Sequence, residues 1–403
     1  MLTTFRGLPA VVWTLFAGTV VNRLGYLVSP FLVFFLAARG VTGAQTTYVL
    51  GALGAGNLIG PAVGGLLADR VGRRRTMLIG LVGAAGAQGA LFAAPGVATM
   101  AAAALLLSAA GATVSPAAYA LLADSVDAAR RQRAYALFGW GVNLGTAAAG
   151  VLGGLLAARG YWLLFAVDAA TMLAFAAVVA LRIPETRPAP GAPATGTAGT
   201  ARPTGTGYGV VLRDRLLVAL LPLFGVQLFV YSLTEVALPL AIHDSGLSPA
   251  VYGAVAAVNA VLVVLLQPLA TTLLARLPQL PVQAAGSVLI AVGVALTGVA
   301  DSILGYALSV VVWSLGEVVV AGIAAALISN LAPADARGRY QGAFQWTWGL
   351  ARFTALTAGV GLYTTLGPAV LWWSALLAGT STAAVTLTLR HRIARRTALQ
   401  LAA

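Results

Sequence analysis

Five ionisable residues stand inside long apolar stretches of this 403-residue chain: Arg23, Asp168, Glu235, Glu317 and Arg352. A charge at bilayer depth is costly, so each is a functional candidate by default, for proton binding or for contact with a charged ligand. Glu317 and Arg352 each lie about 12 residues, or ~18 Å of helix, from the same ends of their stretches, and an ion pair between them is expected. Burial favours the neutral form of such a carboxyl and a guanidinium favours the ionised form, so a small rearrangement would exchange a proton. Glu317 is therefore the first choice for a proton site; the alternative is a satisfied interhelical Glu–Arg pair without turnover. Glu235, with Tyr231, Ser232 and Thr234 beside it, suits cation contact or a second proton site, or else reaches the outer interface near His243 and Asp244. Asp168 is either the partner of Arg23 or peripheral. The five sum to a formal charge of −1, which prefers cationic or neutral ligands over anions.

Those residues need helices long enough to cross a membrane. The chain is 60% hydrophobic and 9% charged, outside the balance of a water-soluble globular protein. Apolar stretches near the ~20 residues that span a bilayer recur at 9–38, 47–68, 76–94, 97–122, 135–157, 161–181, 215–241, 250–274, 283–300, 303–329, 340–364 and 368–389. An all-α polytopic membrane protein of twelve transmembrane helices is expected. The first stretch is too long for a signal-peptide core and is read as a retained span.

The net charge of +13 is carried by arginine alone. Of the 24 arginines, all but Arg23, Arg39, Arg159 and Arg352 fall in segments that share one side of the twelve-span arrangement. By the positive-inside rule that side is the cytoplasm, with both termini there, and the basic excess records topology and contact with anionic lipid rather than nucleic-acid binding. With no cysteine and two distant histidines, His243 and His391, no metal site, cofactor or nucleophile set is indicated. No nucleotide-binding loop is present, so an enzyme or ATP-driven pump is disfavoured.

The Pro/Gly/Thr/Ala-rich run within 182–214 reads as a flexible cytoplasmic linker. It separates a bundle of six spans over 1–181 from a second over 215–389, with a cytoplasmic tail at 390–403. The halves align without a gap at an offset of 206: Ala120-Leu121 on Ala326-Leu327, Arg131 and Arg133 on Arg337 and Arg339, Phe138 and Trp140 on Phe344 and Trp346. A duplicated six-helix unit follows, and in such proteins the ligand site lies where the repeats meet.

After the second span the chain reads Gly64-Gly65-Leu66-Leu67-Ala68-Asp69-Arg70-Val71-Gly72-Arg73-Arg74-Arg75. Gly65 permits close helix approach, Asp69 can accept from a helix N-terminus or an arginine, and Gly72 permits a tight turn. This segment resembles the signature loop of the major facilitator superfamily, at the position between spans 2 and 3 where that family carries it. The resemblance implies two pseudo-symmetric six-helix bundles and a gating role for Asp69, Arg70 and Arg73; the alternative is that the arginines only anchor topology. The second-half counterpart, Gln267 to Arg276, lacks the acid and the arginine run. The stretch Asn143–Gly154 is similar to the Gly-rich motif of the superfamily's drug:proton antiporters, with Val151 where proline is usual; it serves either antiport or close helix packing. Trp313 to Glu317 is likewise similar to the multidrug branch.

By that resemblance spans 1, 4, 7 and 10 line a cavity that Asn22 and Arg23 of span 1 are deep enough to face; Tyr231, Trp313, Trp346 and Trp348 are candidates for an aromatic wall, suiting lipophilic cations or else packing and interface anchoring. The implied function is alternating-access secondary transport, proton-coupled and exporting amphiphilic or cationic small molecules, with Glu317, Glu235 and Arg352 coupling the proton. A transporter of one metabolite, peptide or sugar, or of lipid, shares the same fold. The expected partners are a small-molecule substrate, protons and the lipid bilayer of a bacterial plasma membrane, with the chain a monomer.

Overall fold

The computed structural model describes residues 5–41, 44–157, 159–186, 207–247 and 249–402. Most of the linker, residues 187–206, lies outside the described residues. The helices are α1 (Ala10–Leu24), α2 (Val28–Ala38), α3 (Ala44–Arg70), α4 (Arg73–Ala93), α5 (Val97–Ser125), α6 (Ala128–Ala157), α7 (Tyr161–Arg182), α8 (Gly209–Arg213), α9 (Arg215–Val236) and α10 (Leu238–Asp244). The chain continues through α11 (Pro249–Leu273), α12 (Gln279–Leu296), α13 (Ile303–Val320), α14 (Ile323–Leu331), α15 (Arg337–Thr354), α16 (Val360–Thr365), α17 (Pro368–Thr388) and α18 (Arg390–Ala402). No strand occurs among the described residues. With no water at depth, every backbone polar group must be satisfied within its own segment, and only helices do that for single passages.

Nine passages among the described residues are long and apolar enough to cross a membrane. Three more complete the twelve: the broken passage α1–α2, the arginine-bearing α6, and α15–α16. The protein is an all-α, polytopic, twelve-span membrane protein.

Four passages expected as single helices are interrupted, and the interruptions have local causes. The first breaks at Gly25–Leu27; a Cβ on Gly25 would run into the Thr171 side chain, so the site demands glycine and tolerates a bend. The seventh breaks at Ala237, where Pro239 in the next turn has no N–H to continue the ladder. The tenth breaks at Ala321–Gly322, with Gly322 at φ +75°. The eleventh changes pitch through a π-helical segment, Ala355–Gly359.

By contacts the chain forms two compact units. One contains Gly7–Val211 together with Ala332–Trp346; the other contains Met1–Arg6, Leu212–Leu331 and Thr347–Ala403. In the first, Gly56, Gly60 and Gly64 form a stripe along α3 where any Cβ would lie under 3.0 Å from α5, so glycine is what lets these two helices close. In the second, Trp372, Tyr306 and Leu371 are buried around α9, α12 and α17.

Candidate functional site

Within the second unit, three helices carry the same two-step pattern: an aromatic residue followed four positions later by a charged one. These pairs are Tyr231 and Glu235 on α9, Trp313 and Glu317 on α13, and Trp348 and Arg352 on α15. Residues four apart share a helix face, so each helix presents an aromatic ring one turn away from its charge. The three aromatics meet: Tyr231 packs edge-on against Trp313 at 6.0 Å and against Trp348 at 5.8 Å between ring centroids.

The charges meet in an arrangement different from the expected one. Arg352 Nη2 lies 2.9 Å from Glu235 Oε2, not on Glu317. Glu317 Oε2 accepts from the Asn259 amide at 2.9 Å, and the same amide donates to Ser314 Oγ at 3.0 Å. The expected Glu317–Arg352 pair is thus replaced by two linked stations: an open pair with side chains 45% and 59% exposed, and a carboxylate held by neutral donors. Residue counting along the spans favoured Glu317, at the same depth as Arg352, whereas the structure pairs Arg352 with Glu235 about 20 residues into α9. Asn259 and Ser314 were not singled out from sequence, since a lone polar residue in a span carries little signal by itself.

Glu235, Glu317 and Arg352 each precede a helix interruption by no more than about a turn, as does Arg23 in the other unit. Broken membrane helices leave backbone groups able to bind ligand, and such breaks mark binding positions in transporters. Trp346 stands apart: it is 42% exposed, and the ring contacts of the layer join only Tyr231, Trp313 and Trp348 among the described residues. Two positions apart on an α-helix is a rotation of about 200°, so the two rings point in opposite directions.

In the first unit, Asn22 and Arg23 are half-buried in the last turn of α1, and the Arg23 guanidinium lies 5.4 Å over the Tyr26 ring. Asp168 is neither the ionic partner of Arg23 nor peripheral. It is 3% exposed, and its Oδ2 accepts from the Val28 N–H at 3.3 Å, holding the start of α2 at the break. Phe16 stacks on Trp140 at 5.5 Å. Gly145 backs α1, where a Cβ would sit 2.5 Å from Arg23 Cβ and 2.8 Å from the Val20 carbonyl, so this glycine serves close helix packing. The side chains of residues 150 and 151 in the same motif lie outside the described residues.

The loop after α3 is also fully formed in this unit. Asp69 Oδ1 accepts from Gly338 N at 2.9 Å, and Oδ2 accepts from both N and Nε of Arg339, each at 2.9 Å. One carboxylate thereby caps the start of α15 and pairs its arginine. Arg73, fully buried, donates to the Ala68 carbonyl at 2.7 Å and to Asp124 at 3.0 Å, and Asp124 also pairs with Arg337. Gly72 takes φ +110°, a conformation open to glycine, and Arg70 is exposed. The Tyr208 hydroxyl donates to the Ala62 carbonyl at 2.7 Å while Arg339 donates to the Gly207 carbonyl at 3.0 Å, so the end of the linker is fastened to the same cluster. Asp124 and Tyr208 were invisible in the sequence because their partners lie up to 213 positions away.

Among the described residues no group of three or more His, Cys, Asp or Glu side chains could hold a metal ion. The sequence matches the Major Facilitator Superfamily over residues 14–356. No curated protein matches it closely enough to count as a relative. Among solved structures it is similar to the human organic anion transporter MFSD10, at 18% identity over 94% of this chain and 98% of that one, with a TM-score of 0.71. A bacterial homologue of the iron transporter ferroportin in its outward-facing state gives 16% identity over 95% and 100%, with a TM-score of 0.74. The proton:xylose symporter XylE gives 16% identity over 94% and 96%, with a TM-score of 0.68.

Proposed function

Since this chain belongs to the Major Facilitator Superfamily and is a membrane transporter rather than an enzyme, we propose that it is a proton-coupled secondary transporter exporting amphiphilic or cationic small molecules by alternating access. The observation that carries this reading is the three-helix site in which Tyr231, Trp313 and Trp348 form an aromatic layer beside Glu235, Glu317 and Arg352. An aromatic layer receives the apolar body of a substrate, and two carboxylates against one arginine favour a positive end.

Glu317 is the proton site in this proposal. Asn259 donates to its Oε2, an arrangement suited to the carboxylate; a proton arriving there replaces an acceptor by a donor and weakens that bond. A cationic substrate and a proton therefore compete for one carboxylate, which is the basis of exchange. Glu235 and Arg352 form the second station: because the pair is open, a ligand charge can separate it at little cost. In this proposal Asn22 and Arg23 are substrate-contacting residues of the first repeat, and Asp69, Arg70, Gly65, Gly72 and Arg73 act as the gate. The proposal places the chain as a monomer in a bacterial plasma membrane with both termini cytoplasmic, as two six-span bundles over 1–181 and 215–389.

A second reading is favoured by Arg352, whose side chain is 59% exposed: a proton-coupled transporter of an anionic metabolite, as the MFSD10 likeness also allows. The test is purified protein in liposomes with an imposed pH gradient, presented with a fluorescent lipophilic cation or with an organic anion, and compared with Glu317→Gln. Gradient-driven movement of the cation that Glu317→Gln abolishes supports multidrug-type export. Movement of the anion alone transfers the function to the second reading.

A further inference from the structure

The first turn of α9, the end of α17 and the tail helix α18 enclose a cavity of about 300 Å³ that the transport site does not use. Its rim carries Arg213, Arg215, Arg392 and Arg396, against a single acid, Asp214. Asp214 is already committed: Oδ1 accepts from Leu216 N at 3.1 Å and Leu217 N at 3.3 Å, capping α9, and Oδ2 pairs with Arg396 at 3.2 Å. Arg213, Arg215 and Arg392 have no ion pair among the described residues. Three arginines thus line one space without an ion pair among the described residues.

The rest of the wall is apolar, from Leu216, Ala219 and Leu389. About one turn along the same helices from Arg215 and Leu389, Val218 on α9 and Val385 on α17 are 42% and 47% exposed on membrane-spanning passages, where an exposed apolar side chain suits acyl chains. The cavity therefore joins an anion-binding rim to a lipid-facing surface at the level where a span leaves the membrane. A free phosphate would use the rim alone and gain nothing from the apolar wall. A phospholipid uses both, with its phosphate forked by arginine and its glycerol and first methylenes along Leu216 and Leu389.

We propose that this cavity is a binding site for the headgroup of an anionic glycerophospholipid, with Arg213, Arg215 and Arg392 as its phosphate ligands. The site lies within one unit and is independent of the substrate the protein carries.

The experiment is native mass spectrometry of the purified full chain titrated with phosphatidylglycerol or phosphatidylcholine, for wild type, for R213Q/R215Q/R392Q, and for R390Q/R395Q, which removes tail charge away from the cavity. Wild type and R390Q/R395Q should retain phosphatidylglycerol in preference to phosphatidylcholine, and R213Q/R215Q/R392Q should bind it at least about ten-fold more weakly. Equal retention by the cavity variant, equal loss in R390Q/R395Q, or no preference over phosphatidylcholine would each overturn the proposal. Binding of inorganic phosphate without retention of phosphatidylglycerol would also overturn it, showing a site for the free anion.

Discussion

Asp69 and Arg339 stand 270 positions apart and meet through two hydrogen bonds of 2.9 Å onto one carboxylate oxygen, with both side chains 4% exposed. A buried pair is strongly destabilising to break, because the surviving charge has neither water nor partner. Asp69→Ala should cost about 3–5 kcal/mol, read as a lower thermal-unfolding midpoint of the purified protein, and Asp69→Asn, which retains one acceptor, should cost less. An unchanged midpoint for the alanine variant would mean the cluster contributes no stability.

The close approach behind that pair depends on Gly65. A Cβ there would lie 2.5 Å from the Gly338 carbonyl and 2.7 Å from the Tyr208 hydroxyl. Gly65→Ala should therefore destabilise by about 1–3 kcal/mol through overpacking. Gly51→Ala, on the same helix with nothing within 4 Å, should be neutral or stabilising by up to ~1 kcal/mol through helix propensity. Equal effects of the two on the unfolding midpoint would refute the packing argument.

Asp244, outside the spanning helices, is held below the usual carboxylate range, first by the Tyr363 hydroxyl at 2.7 Å and then by His243. A depressed folded-state pKa adds stability above the unfolded value of about 4, and that contribution is lost as pH falls through the folded value. The effect is small, because Asp244 is half exposed and screened by water. Tyr363→Phe should lower the unfolding midpoint at pH near 6 and leave a smaller difference from wild type near pH 3. A difference that stays constant with pH would show that the lost hydroxyl acts by packing alone.

How far the sequence reached depended on whether a property is local to one segment. The spans follow from runs of apolar residues, and Asp69 stood out because Gly65, Asp69 and Gly72 lie together in eight positions. Its partners Gly338 and Arg339 did not, since nothing local to either segment records their contact. The breaks at Gly25, Ala237 and Gly322 were hidden for a different reason: hydropathy averages over a window longer than the two or three residues that bend a helix. The partner of Arg352 was misjudged because residue counting matched its depth to Glu317, and a count along one helix does not record which side chain of a neighbouring helix a long guanidinium reaches.

That partner makes Arg352 a decisive position. Its pair with Glu235 is about half exposed, and such pairs contribute about 0–1 kcal/mol to stability. Arg352→Gln and Glu235→Gln should each leave the unfolding midpoint within a degree or two of wild type and reduce gradient-driven flux in liposomes at least ten-fold. Stability loss accompanying the flux loss in proportion would reduce the pair to a structural contact.

The two tryptophans flanking Thr347 separate the aromatic layer from a general preference for aromatics near the membrane. Trp348 packs on Tyr231 at 5.8 Å, whereas Trp346 is 42% exposed and belongs to the other unit. An aromatic pair of this kind contributes about 0.5–1.5 kcal/mol beyond its burial, and a cation over the face of an indole gains a similar amount. Trp348→Ala should raise the apparent KM for a lipophilic cation about three- to ten-fold while leaving coupling to the pH gradient intact, and Trp348→Phe should recover most of that affinity. Trp346→Ala should change KM by less than about two-fold. Equal shifts for the two positions would place the substrate elsewhere than against the Tyr231, Trp313 and Trp348 layer.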